Sequence, residues 1–143
     1  MMKIIAAIFA CVVLLQATEK KKIGKVLEKR TITVVVTNVT SDVGNVNFAL
    51  YTRETFMKLP VQTGSAKIKE GKSTVVFENV EIGEYAVVCY HDKNDNNTMD
   101  FESNGMPLED YGASNNVINY GPPQYEDATF EVADKNVTLE IKF

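Results

Sequence analysis

Between His91 and Pro123 the chain reads HDKNDNNTMDFESNGMPLEDYGASNNVINYGPP, and oxygen-bearing side chains recur in its first part at every second residue. Asp92, Asn94, Asn96 and Asp100 stand at positions 1, 3, 5 and 9 of a calcium-loop pattern, with Thr98 at position 7, where a backbone carbonyl serves. A hard dication takes about six to eight oxygens, and a tight loop with alternate oxygen side chains can wrap one. At the sixth position, where the pattern has Gly, stands Asn97, the residue next best suited to a left-handed backbone. At the twelfth stands Ser103, not the bidentate Glu. Glu102 falls one residue early and Glu109 follows later, so these two are the candidates for the missing carboxylate. The expected ligand set is therefore Asp92, Asn94, Asn96, Thr98 and Asp100 with Glu102 or Glu109, the expected cofactor is calcium, and its expected role is structural: fixing a long loop that is costly to order. All these ligands are oxygen, which argues against a soft metal.

A plainer reading competes. Asp and Asn crowd into turns because their side chains bond their own backbone. Charge bears on the choice: from Glu81 to Tyr111 there are eight acids and one base, Lys93. Packed closely without a cation, such acids repel one another.

Cys89 and His91 offer a second chemistry. Two apart on one strand, they point to the same face, and a thiol with a nearby base is the minimum of a nucleophilic site. The geometry along one strand is poor for that purpose, and no third, orienting group is evident. A small hydrolase working from this face is thus the alternative to a non-enzymatic binding or accessory module. Zinc or copper would need more than one His and one Cys. Tyr111, Tyr120 and Tyr125 near the loop leave a glycan or an extracellular protein as a conceivable partner, although the chain has no Trp.

The elements that must position these residues are strands. Thr31 to Thr37 alternates with Ile32, Val34 and Val36 on one face. Val46, Phe48 and Leu50 alternate against Asn47, Ala49 and Tyr51. Between Arg53 and Pro60, Phe56 and Leu59 could share a face of one helical turn. Ser65–Lys69 and Ser73–Glu78 read as a hairpin around Glu70-Gly71. Tyr85 to His91 is a strand that leads into the acidic loop. Ala128, Phe130 and Val132 share a face, as do Val137, Leu139, Ile141 and Phe143. About seven short strands and no long helix predict an all-β, antiparallel β-sandwich with one long acidic loop.

The start of the chain gives an address. Lys3, an apolar run from Ile4 to Leu15 and small Ala17 make residues 1–17 a secretory signal peptide. The run is short for a permanent transmembrane anchor. Ile8-Phe9-Ala10-Cys11 is a poor lipidation box, because Phe9 fits badly and an apolar stretch follows Cys11. Residues 18–30 form a basic leader and 31–143 the sandwich domain. The expected location is exported, periplasmic or extracellular. Cleavage removes Lys3 and no acid, taking the net charge from −4 to −5 (14 basic, 19 acidic), which argues against nucleic acid. Cys89 then remains alone, so no internal disulfide forms.

A longer motif string runs through the same region: Gly83-x-Tyr85-Ala86-Val87, His91-Asp92-x-Asn94-x-Asn96-x-x-x-Asp100, Gly105-x-Pro107-x-Glu109-x-Tyr111-Gly112-x-Ser114-Asn115-Asn116, Gly121-Pro122-Pro123 and Asp127-Ala128-x-Phe130. In this order they resemble the bacterial secreted "domain of unknown function 2141" family, over roughly Ile32 to Phe143. The resemblance implies an immunoglobulin-like or prealbumin-like sandwich exported by Gram-negative bacteria, and it implies no activity. The chain departs from the family pattern at Asn97, where Gly is usual, and at Ala113, where an aromatic is usual.

Overall fold

A computed structural model describes residues 28–143; the proposed signal peptide and residues 18–27 of the leader lie outside the described residues. Among the described residues eight strands form two packed sheets. The first sheet is β4-β1-β8, built from β1 (Arg30–Val36), β4 (Ser73–Val80) and β8 (Val137–Ile141). The second is β3-β2-β5-β6, built from β2 (Asn45–Tyr51), β3 (Gln62–Lys67), β5 (Gly83–Asp92) and β6 (Tyr111–Ala113), with β7 (Phe130–Val132) also pairing on β5. The fold is an all-β sandwich. Pairing is antiparallel except between β1 and β8, which run parallel with Ile32 beside Val137 and Val36 beside Ile141.

The period-two pattern decides which side chains lie between the sheets. Ile32, Val34 and Val36 of β1 face Val46, Phe48 and Leu50 of β2, all buried. Phe77, Val87, Cys89, Val132 and Ile141 complete the core. Each such aliphatic or aromatic side chain contributes about 1.5–3 kcal/mol when fully buried, so the alternation alone fixes the register of every long strand.

Four local expectations need correction. Ser65–Lys69 and Ser73–Glu78 are not a hairpin ladder. Glu70 and Gly71 do form a tight turn with positive φ (53° and 71°), closed by mutual Lys69–Lys72 backbone bonds. Beyond that turn β3 joins β2 and β4 joins β1, so the turn carries the chain from one sheet to the other. Buried Phe77 and partly buried Val75 need the inter-sheet core, and small Gly64 lets Val75 pack onto β3: a Cβ there would lie 2.4 Å from Val75 Cγ2. Ala128 is not on a strand. It ends a short helix, α1 (Tyr125–Ala128), whose Tyr125 and Ala128 pack on Ala86 in a second cluster outside the sandwich. In the Arg53–Leu59 turns Phe56 meets Tyr51 and Tyr125 edge to face, whereas Leu59 is exposed. Arg30 is the first residue of β1, one before the Thr31 at which the sandwich is expected to begin.

Among the described residues no helix is long and apolar enough to cross a membrane.

Candidate functional site

β5 delivers Asp92 to the top of the outer face of the five-stranded sheet. Successive residues alternate, so Cys89 and His91 point into the core while Val88, Tyr90 and Asp92 point outward. Asp92 is nevertheless fully buried, because the loop that follows folds back over it. Its carboxylate accepts three bonds: Asn96 N–H to Oδ1 at 3.1 Å, Asn97 N–H to Oδ2 at 2.8 Å and the Asn47 side-chain amide to Oδ2 at 3.0 Å. The close approach of Gly44 seals the site from below. A Cβ at Gly44 would sit 2.0 Å from the Asp92 carbonyl oxygen, and its φ is +78°.

The other expected ligands fall into two groups. Asn94 Oδ1 accepts Asn96 N–H at 3.2 Å, and Asn96 Oδ1 accepts Thr98 N–H at 3.0 Å. The amides of Asn94 and Asn96 donate to Asp100 at 2.6 and 3.0 Å. Positions 3, 5 and 9 of the pattern therefore converge on one point. Asn97 has φ of 61°, the left-handed turn that Gly would supply elsewhere, so the substitution preserves the backbone path. Glu109 is 6% exposed and reaches both ends of the loop, accepting Lys93 N–H at 3.0 Å and Asp100 N–H at 3.2 Å. Glu102 is elsewhere. It is exposed at the base of a tight turn, bonded through backbone to Gly105 and Met106. Of the two candidate acids, Glu109 is the one the fold returns to the loop.

Among the described residues no three His, Cys, Asp or Glu side chains gather in a cluster able to hold a metal by themselves. Asp92 and Glu109 are turned to backbone amides, and Asp100 is faced by two side-chain amides. The oxygen donors that could hold a cation are thus the mixed set Asp92, Asn94, Asn96 and Asp100, whose amide ends can exchange nitrogen for oxygen by rotation.

Cys89 and His91 sit in a different environment. Both are fully buried. Burial pushes the Cys89 thiol far above its ordinary range, and its Sγ donates to the Gly112 carbonyl at 3.7 Å. His91 Nε2 lies 2.7 Å from the Val43 carbonyl, so Nε2 carries the proton, and Nδ1 has no partner among the described residues. Together with the bond from His91 N–H to the Asp110 carbonyl, this ties the 41–44 turn to the far end of the loop.

The motif residues beyond the loop are architectural. Buried Ser114 accepts Val87 N–H at 3.0 Å and donates to the Ala128 carbonyl. Asn115 donates to the carbonyls of Asp127 and Thr129, and Asn116 exchanges bonds with Glu140 and Lys142. Three consecutive side chains thereby join β5, α1 and β8. Ala113 packs against the Ala86–Tyr125 cluster.

The sequence reading missed a cleft. The outward row Asn47, Ala49 and Tyr51 of β2 pairs with Tyr90, Val88 and Ala86 of β5, and with Ser65 and Thr63 of β3. This row floors a cleft of about 1350 Å³. One wall comes from the acidic loop and the turn after it (Asn97, Thr98, Met99, Phe101 and residues 105–107), and the other from Tyr111 and residues 119–123. The alternation had marked the floor residues only as outward-facing; what covers them is set by two parts of the 91–123 stretch, remote in sequence from β2. Tyr125 does not join this cleft but is buried beneath Arg53, whose guanidinium lies 4.7 Å from the ring centroid.

No curated protein and no solved structure matches the chain. Residues 34–140 match the family model described as "Uncharacterized protein conserved in bacteria (DUF2141)", and the chain belongs to that family.

Proposed function

We propose that the protein is an exported β-sandwich that binds a ligand or partner without transforming it, and that a calcium ion orders its acidic loop. The observation that carries this reading is the convergence of Asn94 and Asn96 on Asp100 at 2.6–3.0 Å, beside a buried Asp92 that closes the turn. A cation placed among these oxygens would neutralise a segment with eight acids and one base. Export is supported by the pattern of residues 1–17, and a periplasmic or extracellular setting supplies calcium at concentrations where a weak site suffices. The runner-up, a hydrolase using Cys89 and His91, loses support because both side chains are sealed in the core and the thiol is held protonated.

The test is thermal unfolding with chelator, then with millimolar calcium or magnesium. A site with a dissociation constant of about 0.1 mM gains about 1.4 kcal/mol at about 1 mM calcium. That corresponds to a rise in Tm of roughly 5 °C. The rise should vanish in Asp100→Ala, which alters a half-buried side chain. No shift with either ion refutes the calcium reading.

A further inference from the structure

The cleft on the outer sheet face has chemistry of its own. It is larger than most small-molecule pockets, which run about 300–1,000 Å³, and none of its lining residues is charged. Met57, Met99, Met106 and Phe101 give it an adaptable apolar wall. Met57, Phe101, Met106 and Tyr120 are at least half exposed, so a large apolar area faces open space.

Polar groups converge at the floor. The Asn47 amide donates to the Tyr90 hydroxyl at 3.0 Å, which leaves the Tyr90 proton free to donate. The phenol groups of Tyr90 and Tyr51 both lie in the lining of the cleft and supply O–H donors at its floor. A ligand acceptor such as a carbonyl or hydroxyl satisfies them. With chelator present, a carboxylate or phosphate would meet the field of Asp92, Asp95 and Asp100 with no basic side chain in the lining to offset it.

We propose that this cleft binds a neutral amphiphile, a molecule with an elongated apolar body and an uncharged carbonyl or hydroxyl head, with the head at Tyr90 and the body along Phe101, Met106 and Tyr120. Because the acidic loop forms one wall, ligand and calcium occupancy are coupled. This coupling rests on the calcium reading; the cleft itself does not.

The experiment is titration of the protein with the neutral solvatochromic dye Nile Red, followed by displacement, in the presence of chelator, with a neutral monoacylglycerol and with the fatty acid of the same chain length. The expected result is saturable one-to-one binding, displaced at least about tenfold more effectively by the neutral lipid. Ser65→Trp, which fills the cleft from the rim strand β3, should weaken binding at least about tenfold while leaving Tm unchanged. Tyr90→Phe should weaken the monoacylglycerol and also the dye, whose ring carbonyl is an acceptor for the same hydroxyl.

Several outcomes overturn the proposal: non-saturable binding, binding indifferent to Ser65→Trp, or equal displacement by the fatty acid. Displacement by an unstructured apolar peptide but not by the neutral lipid would reassign the cleft to a polypeptide. A concentration-dependent dimer dissociated by Ser65→Trp would reassign it to a second copy. Repeating the titration with chelator separates the two readings. Dye binding that persists unchanged without calcium, in a protein whose Tm ignores calcium, leaves the cleft standing and refutes the calcium loop and the coupling.

Discussion

Asn47 lies diagonally across the β2–β5 ladder from Asp92 and donates its side-chain amide to Asp92 Oδ2 at 3.0 Å. The same nitrogen contacts the Tyr90 hydroxyl. One amide thus joins the first position of the acidic loop to the floor of the cleft. Asn47→Ala leaves the buried Asp92 carboxylate with only its two backbone donors. The expected loss is about 1–3 kcal/mol in urea unfolding. A loss below measurement error would mean that the bond has no net worth.

Glu109 and Glu102 separate by role although the sequence offers both. Glu109→Gln weakens the charged acceptor that holds Lys93 N–H and Asp100 N–H, and should cost about 1–3 kcal/mol. Glu102→Gln changes an exposed side chain and should stay within about 0.5 kcal/mol. Equal effects would contradict the geometry.

Gly44→Ala should be among the most damaging single changes. The added methyl meets Asp92 backbone at 2.0 Å, at a φ of +78° that side chains disfavour. The strain alone costs about 1–3 kcal/mol, and the clash adds to it, so loss of the cooperative transition or a drop beyond about 3 kcal/mol is expected. Near-normal denaturant stability would refute the close packing of the 41–44 turn on the loop.

Cys89 sets an alkaline limit. Its ordinary thiol value is 9.0, and burial raises it in the folded state. Above about pH 9 the unfolded chain loses this proton and the folded chain keeps it. The unfolded state then binds fewer protons, and stability falls with rising pH by about 1.4 kcal/mol per unit. Cys89→Ala should flatten that fall between about pH 9 and 11, measured by denaturant unfolding relative to each protein at pH 8. A slope equal to that of the unchanged protein would assign the alkaline loss to the tyrosines. In the folded protein the thiol should also resist alkylation until denaturant is added.

Much of the architecture was legible along the chain. Ile32, Val34 and Val36, then Val46, Phe48 and Leu50, alternate strictly, and the strands followed because one face of each had to be buried. The turns of the loop were legible for a similar reason: Asp92, Asn94, Asn96 and Asp100 bond one another and the backbone between them at short, fixed intervals. Errors arose where partners were remote. Glu70-Gly71 makes the same turn whether its flanking strands pair with each other or part into two sheets. Ala128 matches a strand face by period, yet Ser114 and the Ala86 cluster hold it in a helical turn.

By itself the sequence determined the class of fold, the inward faces of the long strands and the position of an oxygen-rich loop at the end of β5. These depend on local periodicity and on the number of acids in a short segment. The tertiary structure decided the rest. It returned Glu109, not Glu102, to the loop, because backbone bonds from Leu108 to Asp100 and from His91 to Asp110 fold the chain back at that register. It sealed Cys89 and His91 in the core, since an inward-facing strand position takes its solvent access from the opposite sheet. It also turned Asn47, Ala49, Tyr51 and Tyr90 from outward-facing residues into the floor of a cleft, because two parts of the 91–123 stretch, remote in sequence from β2, close over the same sheet face.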